Sequence, residues 1–150
     1  MHDTAVVRRT IDAVPARVWA VLADGWLYPS WVVGASRMRD VDRSWPAPGS
    51  RLHHSVGLWP LLIDDRTEVI GSVPQKELLL RAHGWPAGAA EVLIELTPVG
   101  EHATEVSIRE DAVAGPARLV PPQLRQLSVI PRNREALRRL AFLAEGGADR

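Results

Sequence analysis

The sequence predicts an α+β domain, with a curved antiparallel sheet of seven strands wrapped on a long C-terminal helix and two short helices after the first strand. Gly and Pro turn signals at residues 46–49, 57–60, 71–74, 84–88 and 98–101 divide residues 36–114 into six strand-like runs, as in an antiparallel meander. The runs AEVLIEL and TEVSIRED alternate apolar and polar residues, so each strand has one face to bury. A long segment with helical spacing of apolar residues follows and can cover that face.

The N-terminal elements are predicted from a change in period. Residues 4–12 mix β-branched and charged positions, which is typical of a strand with one solvated face. The apolar residues of ARVWAVLADG then fall at helical spacing, so a short helix should begin near Pro15 and end at Gly25. A second helical turn is expected over residues 26–32, interrupted by Pro29. The strand SRMRDVD comes next and begins the meander.

The C-terminal segment predicts the helix that covers the sheet. From Pro122 to Glu145 one side of this helix is apolar and the other is mostly arginine. The apolar side contains Leu124, Leu127, Ile130, Leu137, Leu140 and Leu143 or Ala144, and the other side contains Arg132, Arg134, Arg138 and Arg139. Pro131 cannot donate a backbone hydrogen bond, so we expect a kink or a break there. We expect residues 1–145 to form one domain and residues 146–150 to fray.

Composition excludes several classes of function. Eighteen basic residues balance eighteen acidic ones, so the broad attraction to phosphate on which nucleic-acid binding depends is missing. The chain has no cysteine, which excludes disulfides, thiolate catalysis and cysteine-ligated metals. It contains no apolar run of bilayer length and no signal-peptide pattern, so we expect a cytoplasmic protein without a membrane span. The common nucleotide, serine-hydrolase and zinc-protease motifs are missing, and we predict no cofactor and no metal.

The order of elements, with the Pro-x-x-Val-Trp motif from Pro15 to Trp19, resembles the SRPBCC superfamily, which includes START lipid-binding, birch-pollen-allergen-like and polyketide cyclase/dehydrase-like proteins. Four stretches resemble an actinobacterial, polyketide cyclase-like branch: WVVGASRMRDVD, WPAPGSRLHHSVGLWPL, AGPARLVPP and RNREALRRLA. The resemblance implies a helix-grip fold, in which the concave face of the sheet and the final helix bound a cavity. This scaffold hosts carriers, receptors, cyclases and co-chaperones, so fold alone does not choose among them.

The alternation of side chains along a strand selects one histidine as a polar candidate for the cavity. His53 and His54 are neighbours on a strand, so they point to opposite faces and cannot chelate one metal together. If Leu52, Val56 and Leu58 face inward, His54 faces inward with them and His53 lies in solvent. A buried His54 either orients a ligand or transfers a proton, or it is a core histidine satisfied by one hydrogen bond.

Two carboxylates fall on the inward-facing positions of their strands. Glu110 follows Val106 and Ile108 on the same face, where a buried carboxylate needs a partner, and a His54–Glu110 pair is our sharpest hypothesis. The alternative is that Glu110 caps a loop near the end of its strand. Asp65 shares the parity of the inward positions of its own strand and is predicted to join the cavity side.

Six tryptophans are many for this length, and four of them lie within two residues of Pro or Gly in predicted connecting segments. These four, Trp31, Trp45, Trp59 and Trp85, either wall the mouth of a cavity or pack the ends of the sheet. Trp19 lies on the apolar face of the first helix and is most simply core. Ile130, on the apolar side of the final helix, is a further predicted ligand contact.

Three functions fit these residues. The first is a carrier that sequesters a small apolar or aromatic molecule, with His54 and Glu110 fixing its orientation. The second is an aromatase/cyclase-like or dehydratase-like enzyme in which the same two residues transfer protons. The third is a co-chaperone or regulatory protein with a closed core and an exposed apolar patch. The predicted partner is the small ligand, and the chain is a monomer or a homodimer.

Overall fold

The computed structural model of the chain describes residues 5–33, 35–56, 63–84 and 88–146. The strands are β1 Val7–Ile11, β2 Ala35–Val41, β3 Arg51–Val56, β4 Ile63–Val73, β5 Glu77–Gly84, β6 Gly88–Val99 and β7 Ala103–Ala114. The helices are α1 Pro15–Ala23, α2 Tyr28–Trp31 and α3 Pro122–Ala144, and two 3-10 turns cover Gly25–Leu27 and Pro116–Leu119. The predicted order of one strand, two short helices, six strands and a long helix is confirmed.

All seven strands form one antiparallel sheet in the order β1-β7-β6-β5-β4-β3-β2. Strands β2 to β7 are a meander, because each pairs with its neighbours in the chain. Strand β1 adds to the β7 edge, so the first and last strands of the chain lie side by side. The sheet curves around α3, which completes the predicted helix-grip fold.

Alternate positions of the strands build the apolar core. The buried strand positions are two residues apart, as the period of a strand requires when only one face is covered. They include Leu52, Val69, Leu78, Leu80, Ile94, Leu96, Val106 and Ile108. The core continues into the C-terminal half of α3 through Leu137, Leu140 and Ala144, and into α1 through Val18 and Leu22.

Helix α1 is fixed to the end of α3. Pro15 occupies its first turn, where a missing N–H costs no intrahelical hydrogen bond. Arg17 Nε donates to the Ala144 carbonyl oxygen at 2.6 Å and so satisfies one of the free carbonyls that end α3. Gly25 follows α1 and allows close approach to the sheet, since a Cβ there would lie 2.6 Å from Leu52 Cδ2. The helix ends at Ala23, two residues before the predicted glycine.

Two details of the predicted boundaries differ from the structure. Pro29 lies in the first turn of α2 and does not interrupt it. Gly71 lies inside β4 at a register shift, so the turn after this strand begins at Pro74. The turns predicted around residues 57–60 and 84–88 lie largely outside the described residues, as do residues 147–150 of the expected tail.

Of the kink or break predicted at Pro131, the break is wrong, because α3 runs without interruption through this residue. Proline leaves the carbonyl of Leu127, four residues earlier, without its intrahelical donor. Both residues lie on the exposed side of α3, where water can bond that carbonyl instead. None of the helices in the described part of the chain is long and apolar enough to cross a membrane.

The predicted apolar side of α3 is correct for its C-terminal half and wrong for its N-terminal half. Leu124 and Leu127 are 56% and 68% exposed, whereas Gln126 and Asn133 are buried. At 3.6 residues per turn, Leu127 lies roughly 140° around the helix from Leu140, but Asn133 lies only about 20° from it. The stripe that faces the sheet therefore changes from aliphatic residues to polar ones toward the N-terminus of α3.

Candidate functional site

The concave face of the sheet and the N-terminal half of α3 enclose a cavity of about 600 Å³. Its apolar lining comes from α2, from the middle strands and from α3, and includes Trp31, Val32, Leu80, Val92, Ile108, Val120 and Val129. Small side chains leave the space open where larger ones would fill it, at Ala82, Ala90, Ala112 and Ala136. A cavity of this size with a mostly apolar lining fits a small organic molecule.

One wall of the cavity carries a chain of hydrogen bonds through Tyr28, Thr67 and His54. His54 Nε2 lies 2.8 Å from Thr67 Oγ1, which lies 3.3 Å from the Tyr28 hydroxyl oxygen. The Tyr28 ring also packs edge-on against Trp31, with ring centroids 5.5 Å apart. Within the described residues, His54 Nδ1 is buried without a hydrogen-bond partner. His54 therefore has one nitrogen held by Thr67 and one buried nitrogen without a partner among the described residues.

A second wall carries Glu110 from β7 with Arg132 and Asn133 from α3. Arg132 donates to the Glu110 carboxylate, so this arginine reaches inward although it was predicted on the outer side of the helix. The side-chain amide of Asn133 lies close to the Glu110 carboxylate and lowers the pKa of that carboxyl. Within the described residues, the buried Asn133 Nδ2 makes no hydrogen bond of good geometry, so this contact is a weak one. The helix thus contributes an arginine and an amide at adjacent positions.

Polar contacts hold the N-terminal part of α3 to the sheet. Gln126 Nε2 donates to the Glu110 carbonyl at 2.9 Å, and the Ala5 amide donates to Gln126 Oε1 at 3.3 Å. Arg125 makes two bonds to the Asp111 carboxylate, from Nε at 2.9 Å and from Nη2 at 3.1 Å. Two-point contacts between arginine and a carboxylate fix orientation as well as distance.

Burial sets the protonation of the cavity groups. Desolvation lowers the pKa of His54 below 6.5, against the opposing charge of Asp65, so the imidazole is neutral at neutral pH. Desolvation raises the pKa of Tyr28 to about 12, partly offset by its hydrogen bond to Thr67. It also raises the pKa of Glu110 above 4.5, although Arg132 favours the charged form. The cavity therefore penalises charge.

His54 and Glu110 both line the cavity, but the structure does not join them in the hypothesised pair. His54 bonds to Thr67, and Glu110 bonds to Arg132. Shared parity places two residues on one face of a sheet, and it says nothing about how many strands separate them. The sheet order places β6, β5 and β4 between β7 and β3. Four strand spacings amount to roughly 19 Å along the sheet, so the two residues face each other across the cavity.

The other predicted contacts separate into three groups. Trp31 lines the cavity. The described lining of this cavity does not include Trp45, Asp65 or Ile130. Trp45 Nε1 donates to the Leu22 carbonyl at 3.1 Å, and Ile130 packs against the core. Asp65 on β4 pairs in register with His54 on β3. Trp59 and Trp85 lie outside the described residues. His53, predicted in solvent, is half-buried, and its Nε2 lies 3.2 Å from Asp42 Oδ1.

Sequence reasoning missed Tyr28, Arg132 and Asn133 as members of the site. One available signal was the helical phase of α3. The stripe that begins at Leu137 and Leu140 passes back through Asn133 and Gln126, and polar residues on a stripe that faces a sheet indicate a site or a buried network. Tyr28 had no comparable signal, because a four-residue helix is too short to show a periodic face.

A curved seven-stranded sheet that encloses a mostly apolar cavity beneath its C-terminal helix defines the class of helix-grip proteins. Residues 2–145 match the profile of the family described as Polyketide cyclase / dehydrase and lipid transport, and the chain belongs to that family. The resemblance to polyketide cyclase-like SRPBCC proteins is thereby confirmed. No curated protein matches the chain in sequence.

Several solved structures are similar to this fold. The aromatase/cyclase Zhui from a Streptomyces species superimposes with a TM-score of 0.70 at 15% identity, covering 95% of this chain and 93% of that chain. A Mesorhizobium loti protein has a TM-score of 0.69 at 20% identity, with 95% and 96% coverage. The di-domain aromatase/cyclase StfQ of steffimycin biosynthesis has a TM-score of 0.73 at 11% identity, covering 98% of this chain and 52% of StfQ. Identities this low show the fold alone.

Proposed function

We propose that this protein binds a small, mostly apolar or aromatic molecule in the cavity beneath α3 and thereby carries or sequesters it. The observation that carries the proposal is the cavity of about 600 Å³. A well-packed core leaves few spaces larger than a water molecule, so an opening of this size inside one small domain has room for a small organic ligand. Membership of the family supports the same class of function.

The apolar lining supplies most of the affinity in this proposal. Trp31 from α2, Val92 and Ile108 from the sheet, and Val129 from α3 provide ligand contact from several sides. Each apolar group that a ligand withdraws from water contributes at roughly 25 cal/mol per Å² before the costs of association. His54 and Glu110, on two different walls, then fix the orientation of the bound molecule.

The test is native mass spectrometry of the protein purified from extract of its own host, compared with the denatured protein. A reproducible additional mass that disappears on denaturation is expected. The matched variant is Ala82→Phe, which fills the cavity from the inward face of β5, and the control is Ala16→Phe on the exposed side of α1. Loss of the mass in Ala82→Phe but not in Ala16→Phe supports the proposal. An identical mass in both variants contradicts it.

An enzyme is the second candidate, and one observation favours it. His54 is a buried, neutral imidazole in the cavity lining whose Nδ1 has no partner among the described residues, and an imidazole can accept or deliver a proton during aldol closure or loss of water. Two of the similar structures are aromatase/cyclases by name. Because Glu110 does not contact His54, this mechanism rests on His54 alone.

Turnover separates the two candidates. A poly-keto compound incubated with the protein should be recovered unchanged if the protein is a carrier, and His54→Ala should weaken its binding only modestly. Cyclised or dehydrated product that disappears in His54→Ala would establish the enzyme. The third possibility, a co-chaperone or regulatory protein, was predicted to have no continuous cavity, so the cavity removes its premise.

A further inference from the structure

We propose that the ligand enters and leaves the cavity beside residues 115–124, and that Arg125 holds this segment against the sheet and so limits the rate of exchange. The segment, which we call the portal segment, joins β7 to the first turn of α3. The inference rests on the proposed function and adds the route to the site and a residue that controls it. Three observations carry it: where the lining is exposed, how the portal segment is packed, and how Arg125 is bonded.

The mouth of the cavity lies at the N-terminal half of α3. Most of the described lining is buried or half-buried, and the exposed residues in it are Val120, Leu124, Ser128 and Arg132. The last three are four residues apart, so they lie along one edge of α3. Val120 and Leu124, at the beginning of this row, belong to the portal segment and are 41% and 56% exposed. A molecule that arrives from water therefore meets the apolar lining first at these two side chains.

The portal segment is packed loosely. All of its residues except the half-buried Ala117 are exposed, and Leu119 is 87% exposed. Its backbone hydrogen bonds are local, from the Arg118 amide to the Gly115 carbonyl and from the Val120 amide to the Ala117 carbonyl. Gly115, with a φ of 86°, begins the segment and can absorb a change in backbone direction. Segments with few buried apolar contacts open at a small fraction of the free energy of global unfolding.

Arg125 joins the portal segment to β7. Its Nε and Nη2 donate to the two oxygens of the Asp111 carboxylate, at 2.9 Å and 3.1 Å. Its Nη1 donates to the carbonyl oxygens of Val120, at 2.8 Å, and of Arg118, at 3.2 Å. The side chains of Arg125 and Asp111 are mostly buried, so water screens this pair less than it screens a pair on the open surface. One guanidinium thus fixes two carbonyls of the portal segment relative to the sheet.

This arrangement has a kinetic signature. When a ligand exchanges only while the portal segment is lifted, the association rate and the dissociation rate are both proportional to the fraction of open molecules. Loss of the Arg125–Asp111 contact raises that fraction in the free and in the ligand-bound protein alike. Both rates then increase by the same factor and Kd stays constant, because the two states of the portal segment are not distinguished by ligand affinity. A residue that only shapes the site would instead change the dissociation rate and with it Kd.

Stopped-flow quenching of tryptophan fluorescence by 2-acetonaphthone measures both rates, and an equilibrium titration measures Kd separately. Asp111→Asn should raise both rates about 10-fold, the value of one hydrogen bond between charged groups, and leave Kd within about 2-fold. The matched control is Glu135→Gln. It removes a carboxylate that Arg138 also binds through two nitrogens, but on the outer side of the same helix, and it should change neither rate.

A thiol-specific label tests the position of the mouth independently. The chain has no cysteine, so Val120→Cys provides a single site for a bulky maleimide. The label should slow both association and dissociation of 2-acetonaphthone severalfold, because it stands where the ligand passes. Phe142→Cys with the same label is the control, since Phe142 is 68% exposed on the half of α3 that covers packed core, and its exchange rates should not change. Each variant is compared before and after labelling, which separates the label from the substitution.

The outcomes separate this inference from the function on which it rests. Unchanged rates in Asp111→Asn, or faster dissociation alone, overturn the inference and leave the cavity as a binding site. Unchanged exchange in labelled Val120→Cys overturns it as well, and this result decides the question if Asp111→Asn does not fold. If 2-acetonaphthone does not bind the unaltered protein, both the inference and the proposed function are wrong.

Discussion

The two halves of α3 cover two different interiors. Beneath its C-terminal half, Leu137 and Leu140 are almost completely buried and pack against α1 and the sheet. Beneath its N-terminal half lies the cavity, and the contacts to the sheet are polar ones made by Gln126, Arg125 and Arg132. Close packing stabilises one half, whereas hydrogen bonds position the other half over an open space.

One helix can therefore serve both stability and binding. Burial of apolar surface contributes free energy without direction, so it suits the half that anchors the fold. Hydrogen bonds and ion pairs contribute less net free energy but fix geometry, so they suit the half that holds the wall of a site. The same stripe of the helix changes its chemistry at Asn133, where the cavity begins.

The largest expected effect is on the packed half. Leu140→Ala removes a fully buried side chain and leaves a void that the core cannot fill, so the free energy of unfolding should fall by about 3–4 kcal/mol. Val129→Ala in the cavity half should lower it by only about 1 kcal/mol, because one side of Val129 already faces open space. Urea unfolding measures both losses, and equal losses would mean that the two halves of α3 are packed alike.

The next effect concerns His54 and acid. Because burial lowers its folded pKa below 6.5, its contribution to stability is complete above pH 6.5 and is lost as the pH falls from there through the folded pKa. For one proton the loss is at most about 1.4 kcal/mol per pH unit. His54→Phe should therefore flatten the fall in unfolding free energy below pH 6.5. Burial also lowers the pKa of His83, so this residue should still make the free energy of unfolding fall with acid in the variant.

Glu110 should show the opposite dependence. Because burial raises its folded pKa above 4.5, stability is complete below that pH and is lost as the pH rises through the folded pKa. Glu110→Gln should gain stability relative to the unaltered protein as the pH rises from about 4 to about 7. Unfolding titrations over this range measure the gain. If the variant instead loses stability with rising pH, the Arg132 contact outweighs desolvation.

The smallest effect is expected on the outer side of α3. The Glu135 side chain is 34% exposed on the outer side of α3, and its bonds to Arg138 and Arg139 lower its pKa to about 2. Exposed ion pairs contribute little because water and salt screen them. Glu135→Gln should leave the midpoint of urea unfolding unchanged at physiological salt. A clear shift would mean that the solvent side of α3 is more than a solvated face.

The sequence predicted the elements that depend on local period and failed where distance across the sheet decides. Strand alternation placed His54 and Glu110 on the inward face, since a period of two fixes the face of each residue. Alternation does not show how far apart two strands lie. Three strands separate β3 from β7, and this distance keeps His54 and Glu110 from forming the hypothesised pair. In α3 the prediction followed hydrophobicity and placed Leu127 toward the sheet. The angular position around the helix, measured from Leu140, instead places Asn133 toward the sheet, and Asn133 is the buried residue.

Hydrogen exchange of α3, with and without a saturating apolar aromatic probe such as 2-acetonaphthone, shows which half of the helix covers the ligand. If the ligand lies beneath the N-terminal half, amides of residues 125–133 should exchange more slowly when it is bound, while those of residues 137–144 should not change. The probe touches only the first group, and the second already lies over packed core. Protection confined to residues 137–144, or spread evenly over the helix, would mean that the ligand does not lie beneath the N-terminal half of α3.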